Sequence, residues 1–449
     1  MSTDKNRTAL VRELIDTAVR AGADAADAVF VRSLALSAGV RNGQPEDIER
    51  SETCDLGLRV FVGKKPAIVS ATTLDPARFR DLADRAVAMA RVLPEDSFAG
   101  LAENALHGEF DAQGMDLSDT AQPDTAELLS RAREAEDAAF AVSGVTKSSG
   151  AGASCGRTEL VLASSAGFSG AYSRTRHSAS VSVLAGSGTA MQRDYDYHSA
   201  VHLADLDPAA RIGRSAGEHA VARLNPARPR TGKMTVLFDP RVAGSIAGHL
   251  TAAINGASVA RGTSFLKDRL GTRLFTPGVS VIDDPTRIRG LASRPFDGEG
   301  VRAGPLHLVE DGVLQCWILD SRSARQLALP SSNGRAARGP SAPPQPSTSN
   351  LYIAAGSLSP DALMSGITEG IYITEMMGSS VSMLTGDYSR GASGFMIRDG
   401  KLAEPVAEFT VAGNLTDMFA RLIPADDLEF RRGTDAPTLR IDDMSIAGV

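Results

Sequence analysis

Aromatic residues are scarce in this sequence and cysteine is scarcer. There is one Trp, aromatics make up 5% of the chain, and Cys54, Cys155 and Cys316 are odd in number and far apart. A disulfide framework is therefore excluded as the organising device, and reduced thiols in a cytoplasmic protein are the expectation. No apolar run approaches the roughly 20 residues that cross a bilayer, so no membrane partner is expected. The opening stretch MSTDKNRTALVRELIDTAVRAG mixes charges and has no apolar core, unlike a secretory signal. An excess of basic residues is missing too. A net charge of −7 leaves no electrostatic footprint for nucleic acid, which needs concentrated Lys and Arg. What is present is 43 glycines and 43% hydrophobic content, the make-up of a globular chain rich in turns and sheet edges. Its 449 residues suffice for two or three domains, each with its own core.

Periodicity divides the chain. Leu10, Leu14 and Ala18, with Val11, Ile15 and Val19, recur at helical spacing, and Gly22 can end that helix. DLGLRVFVGKKPAIVSA alternates, turns at 63–66 and alternates again, which is an antiparallel hairpin. Two helices follow, one opened by Asp75–Pro76 and one running from about Asp124 to Val142. Between Gly144 and His202 the period becomes two, giving three Ser- and Gly-rich strands, before a helix over about 208–224. NPARPRTGK is then read as a domain boundary. Beyond it, GPLHLVEDGVLQCWIL and GFMIRDGKLAEPVAEFTVAG are hairpins turning at Glu310–Gly312 and Asp399–Gly400. Residues 330–350 carry no period and form a long Pro/Ser/Gly loop, of a length that is either mobile or functional. The expectation is an α+β fold. Residues 1–225 place helices on a mixed or antiparallel sheet, and residues 226–449 form a β-rich domain, a curved sheet or partly closed barrel.

The stretch DPRVAGSIAGHLTAAINGAS enters this second half as a helix. Asp239 caps it, Pro240 takes its first position and Gly256 ends it. Ile246, Leu250 and Ile254 make its core stripe, with His249 at the border. Gly244 and Gly248 remove bulk, so another element is expected to pack close. Catalytic zinc needs about three protein ligands, and hydrolysis needs a carboxylate to take the proton of the bound water. From Pro240 through Lys267 there is no Asp, Glu, Cys or second His. His249 is therefore read as a packing or hydrogen-bonding residue.

Other constellations are weaker. DYDYHSAVH sets Asp194, Asp196, His198 and His202 at even spacing, on one face of a strand, where a polar sheet face competes with a metal site. GASG, residues 391–394, lacks the spacing of a nucleophile elbow. LAGSGTAMQ and RPRTGKM lack glycines or the hydroxyl that nucleotide loops require.

GIYITEMMG and LTGDYSRGASGFMIRDGKLAEPVAEFTVAGNLTDMF resemble the signature of the TldD/PmbA family of bacterial peptidase proteins. SVARGTSFL, LDSRSARQLAL and LGLRVFVGKKPAIVSA match it in the same order, so the resemblance spans nearly the whole chain. It implies two branches. The TldD branch holds zinc with an H-E-x-x-x-H helix and a downstream Cys, and the PmbA branch, also called TldE, lacks both. Here the helix reads AGHLTAAINGAS, and nothing from Gly386 to Phe395 is Cys. The resemblance thus implies a non-catalytic subunit without a metal of its own. Its partner would be a TldD-like zinc subunit that cleaves unfolded or modified peptides in a shared cytoplasmic cavity. It also implies a historical link to DNA gyrase modulation. Two alternatives stay open: an autonomous metallopeptidase using His198, His202 and Asp196, and a regulatory binding protein.

SVARGTSFL and TGDYSRGASGF join glycines, hydroxyls and arginine, which can grip an extended peptide or simply build tight turns. Arg261, Gly262, Ser264, Asp387, Ser389, Arg390 and Gly391 are the candidate substrate- or partner-binding residues. A homodimer of the isolated chain is a further expectation.

Overall fold

A computed structural model describes residues 2–103 and 106–449. Helix α1 (Ser2–Arg20) buries Val11, Leu14, Ile15 and Ala18, the apolar row its spacing predicts, and stops before Gly22 at φ 106°. Strands β1 (Ala25–Arg41) and β2 (Gln44–Val62) then form a long hairpin. Its two-residue turn, Asn42–Gly43, has both residues at positive φ, the conformation that matches strand twist. β3 (Lys65–Ala71) turns back at Gly63–Lys64 as the alternation predicts. Asp75 caps a single turn leading into α2 (Phe79–Val92), and Asp124 and Glu127 close a reciprocal capping box on α3 (Thr125–Phe140). β4 (Val145–Ser164), β5 (Ser169–Ala185), β6 (Gln192–Ala200) and α4 (Ala209–Ala222) complete this half.

The sheet order is β3-β2-β1-β4-β5-β6, antiparallel throughout. All four helices cover one face. Val161 and Ala171, under α1 and α2, share strand parity with Ala151, Ala179 and Val181, under α3 and α4. Residues of the other parity, Val29, Leu160, Leu162 and Tyr172, lie instead against Phe296 from the second half.

In that half β7 (Gly232–Phe238) runs into α5 (Pro240–Ala253), followed by α6 (Gly256–Ala260). β8 (Val281–Asp283), β9 (Leu306–Glu310) and β10 (Val313–Leu314) precede α7 (Ser321–Gln326). The short strands β11 (Ala336–Ala337), β12 (Gln345–Pro346) and β13 (Leu351–Ile353) lead to α8 (Pro360–Met364). β14 (Glu369–Val381), β15 (Asp387–Arg398) and β16 (Lys401–Asn414) make a meander. The chain ends with α9 (Leu415–Arg421), β17 (Ile423–Pro424), β18 (Thr434–Asp435) and β19 (Leu439–Ala447). The order β16-β15-β14-β7-β19 is closed by a pairing of β19 with β16, so five strands form a partly closed barrel. The molecule is α+β, as expected.

α5 packs Ile246, Leu250 and Ile254 into one core with Val236, Phe238, Ile371 and Ile373 of the barrel. Two details of the expected helix change. It ends at Ala253, with Ile254 as C-cap, and Gly256 opens α6 instead of ending α5. Gly256 is small because a Cβ there would meet the Ile318 carbonyl oxygen at 2.8 Å. Gly244 does admit a close neighbour, the backbone of Thr434 at β18, whereas Gly248 has nothing within 4 Å of a Cβ position. The 330–350 loop is packed into the molecule. Arg335 is fully buried and paired with Asp283, and the Arg338 side chain reaches Asp27 of β1 at 2.5 Å.

Candidate functional site

His249 projects from α5 toward β15. Its ring meets Tyr388 edge-on, with centroids 5.7 Å apart, and Tyr388 donates its hydroxyl to the Met376 sulfur at 3.1 Å. The buried Nε2 of His249 has no hydrogen-bond partner among the described residues. Burial, and then the positive charge of Arg390, pushes its pKa below the usual histidine value, so the imidazole is neutral near pH 7. Neutral imidazole is the metal-binding form, but the remaining donors are missing. Counting from His249, an H-E-x-x-x-H helix needs its carboxylate at position 250 and its second imidazole at position 254. Leu250 and Ile254 hold those places, both 0% exposed in the core. Arg390 adds a fixed cation beside the ring, which repels a dication. No group of three or more His, Cys, Asp or Glu among the described residues is placed to hold a metal ion. The residues at this site do not fit zinc.

The first candidate motif touches the turn that leads into the second, and the second reaches His249 through Tyr388. The Phe265 amide donates to the Met383 carbonyl at 2.9 Å, joining the segment after α6 to the β14–β15 turn. Arg261 caps α6 and is exposed, and Gly262 sits at φ 72° with open space around it, a left-handed turn position that suits glycine. Ser264 is 2% exposed, and its hydroxyl donates to the Ala253 carbonyl at 2.5 Å while accepting from the Leu266 amide. It fixes the turn to the end of α5. Across the junction, Asp387 accepts from Thr385 Oγ1 at 2.7 Å and Arg390 Nε donates to the Gly378 carbonyl at 2.8 Å. Ser389 is paired with Ser380 and Ala412, and Gly391 with Met377 and Thr410. Among the described residues β14 pairs with β7 over Gly370–Ile373, and from Glu375 to Val381 its strand partner there is β15. Met377 and Leu384, at this end of the hairpin, are 52% and 65% exposed. The sequence pattern alone pointed to the motifs. The apolar tip and the half-free β14 come from register, which periodicity does not reveal.

The even-spaced row of β6 has a different use. The strand ends at Ala200, so His202 leaves the row and its Nε2 lies 3.1 Å from Asp116 Oδ1. His198 Nδ1 accepts from the Asp207 amide at 3.0 Å, and Asp196 accepts from the Tyr197 amide. Asp194, buried, joins the two halves by accepting from Arg241 Nη2 at 2.6 Å and Arg223 Nη1 at 3.2 Å. Arg223 also contacts Glu375 and donates to Ser393 Oγ at 2.8 Å. The serine of GASG is thus buried, accepts from Arg223 and stands opposite Glu375 in the strand pair, whose carboxylate is itself taken up by Arg223.

Comparison with known proteins places this geometry. Residues 26–90, 118–224 and 231–448 match, in turn, domain 1, the central domain and the C-terminal domain of the PmbA/TldA metallopeptidases. Metalloprotease PmbA of Escherichia coli O157:H7 is 33% identical over 98% of this chain and 96% of its own length. The PmbA homolog of Haemophilus influenzae is 34% identical over 97% and 94%. Among solved structures, a candidate modulator of DNA gyrase from Bacteroides thetaiotaomicron superposes with a TM-score of 0.91 at 24% identity, covering 100% of both chains. TldE from Thermococcus kodakarensis gives 0.87 at 18% identity, over 98% of this chain and 100% of that one. These two likenesses speak for the fold alone.

Proposed function

Because this chain belongs to the PmbA/TldA metallopeptidase family, we propose that it is the metal-free subunit of a two-component peptidase. A TldD-like partner supplies the zinc and cleaves peptides, and this chain completes the cytoplasmic chamber in which that happens. One observation carries the reading: the two helix positions that would complete a zinc motif with His249 are Leu250 and Ile254, buried as core. A carboxylate or imidazole there would lack both solvent and a partner.

Arg261, Gly262, Asp387, Ser389, Arg390 and Gly391 form the surface that faces partner or peptide, with Ser264 holding the turn in place. The single-partnered stretch of β14 and the exposed Met377 and Leu384 support this, since main-chain hydrogen bonding and apolar anchors are how extended segments are bound. Residues 1–225 and 226–449 are the two units of the subunit. Purified alone, the chain should hold no stoichiometric zinc and cleave no peptide. Affinity purification from the native cell should recover a partner with an H-E-x-x-x-H helix. One tightly bound zinc per chain together with chelator-sensitive proteolysis would defeat the proposal. A role in modulating DNA gyrase, for which the Bacteroides protein is named, finds no support in a net charge of −7. A salt-sensitive gel shift with DNA would revive it.

A further inference from the structure

The end of β6 and two segments of the second half enclose a pocket of about 200 Å³. His198 lines it from β6, Arg287 and Arg289 from the segment between β8 and β9, and Arg431 and Arg432 from the residues ahead of β18. Sites that enclose a drug-sized ligand measure roughly 300–1,000 Å³, so this one admits a small group or the end of a larger molecule. Four arginines line it against one carboxylate, Asp205. Arg289 Nη1 already donates to both Asp205 oxygens, at 3.2 and 3.0 Å. Arg431 is spent in the same way on Asp207, at 2.7 Å.

Arg287 and Arg432 are held differently. The Arg287 guanidinium carbon lies 3.5 Å from the centre of the Phe430 ring, which Tyr352 braces edge-on. Arg432 lies over Tyr197 at 5.5 Å, and its Nε donates to the Tyr197 hydroxyl at 2.8 Å. Stacking engages the face of a guanidinium and leaves its N–H groups, which lie in the plane, for other partners. Among the described residues no carboxylate is at ion-pairing distance from either arginine. Asp284 and Asp435 act on Arg287 from farther away, and the buried Asp435 is taken up by the Arg431 and Arg432 amides. All three Arg287 nitrogens and both Nη atoms of Arg432 lack a hydrogen-bond partner among the described residues, and none of them is sealed from solvent. His198 adds a neutral donor. Burial lowers its pKa, and its Nδ1 accepts from the Asp207 amide at 3.0 Å, which leaves the proton on Nε2, also open to solvent.

Like charges drawn into one concavity repel each other, and a cleft lined by one sign of charge concentrates the opposite ion. Rings, not carboxylates, fix Arg287 and Arg432, so their charge stays available. We propose that this pocket binds a compact, doubly charged oxyanion: phosphate, or the end group of a phosphate monoester. Arg287 and Arg432 donate to its oxygens and match its two charges. His198 Nε2 supplies a third donor, and Phe430, 46% exposed, borders the space for an ester carbon. A tetrahedral group, whose oxygens point in several directions, suits donors drawn from three separate segments better than a planar carboxylate does. The site is built by this chain alone and does not depend on the helper-subunit reading. Calorimetry on the isolated full-length chain tests it, with inorganic phosphate, phenyl phosphate and acetate in a chloride buffer. The better of the two phosphate compounds should bind about tenfold or more tighter than acetate, the scale of one further charge-assisted hydrogen bond. Tighter binding of phenyl phosphate identifies a monoester as the ligand, and tighter binding of inorganic phosphate the free anion. Arg287→Gln and Arg432→Gln should each weaken that binding about tenfold, and either serves if the other does not fold. Arg80→Gln, exposed on α2, should leave it unchanged. No saturable binding of either phosphate compound below about 10 mM, acetate binding as tightly as both, or wild-type affinity in a folded Arg287→Gln or Arg432→Gln variant would overturn the proposal.

Discussion

Restoring a metal motif to α5 is the sharpest test of why this chain has none. The perturbation is Leu250→Glu with Ile254→His, which completes H-E-x-x-x-H from His249. Leu250 and Ile254 are 0% exposed, in a core shared with Val236, Phe238, Ile371 and Ile373. Removing either aliphatic side chain costs about 2–5 kcal/mol, as in large-to-small core changes. Each new polar group adds about 1–3 kcal/mol, because nothing nearby is free to pair with it. The two changes together therefore reach about 6–16 kcal/mol, the size of a whole domain's stability of about 5–15 kcal/mol. Zinc cannot offset this, since the downstream Cys is absent and Arg390 stands beside His249. The double variant should thus be unfolded or insoluble, with no zinc by elemental analysis after saturation and dialysis. Leu250→Ala, measured by urea denaturation, should lose about 2–5 kcal/mol in folded form and so calibrates the estimate. A double variant with a wild-type urea midpoint and one zinc per chain would refute the argument.

Other outcomes follow from the same geometry. His249→Phe should leave stability within about 1 kcal/mol of wild type, because it removes an unpartnered Nε2 and keeps a ring on Tyr388; a loss beyond about 2 kcal/mol in urea denaturation would show that the imidazole has a partner after all. Asp194→Ala should cost about 3–5 kcal/mol by leaving Arg241 without its carboxylate and Arg223 with Glu375 alone, read as a drop in the urea midpoint. The pH dependence should show two windows. Burial lowers the pKa of His107, His177, His198 and His249, so the unfolded chain binds protons first and stability falls as pH drops below about 6.5. For Asp194, burial raises the pKa but Arg241 and Arg223 outweigh it, so its contribution persists above the ordinary 3.8 and disappears as pH falls through the lower folded value. Urea midpoints that are equal at pH 7.5 and 5.5 would contradict the histidine window.

Local chemistry was legible in the sequence, and long-range placement was not. The caps at Asp75 and Asp239 and the turns at Glu310–Gly312 and Asp399–Gly400 were readable because each is decided within a few residues. β1 and the first half of β2 were not predicted as strands. GQPEDIERSETCD is polar at nearly every position, and β2 is exposed through most of Gln44–Glu52, so no alternation marks it. Pairing with β1, not side-chain pattern, makes it a strand. Gly256 misled for a related reason. A glycine after a helical run reads as a terminator, but here closeness to Ile318 decided the residue. The same limit applies at the candidate site. The absence of a zinc motif around His249 could be seen in the letters, but its physical basis, Leu250 and Ile254 facing a barrel core, depends on strands more than 100 residues away in sequence. Arg338 is the extreme case. Nothing around RAARGPSAPPQP marks Arg338 as buried, and only closure of the loop over β1 brings its side chain to Asp27. A buried ion pair between residues 311 positions apart is decided by the fold as a whole, because a buried charge needs a partner and no pattern within a few residues of either one supplies it.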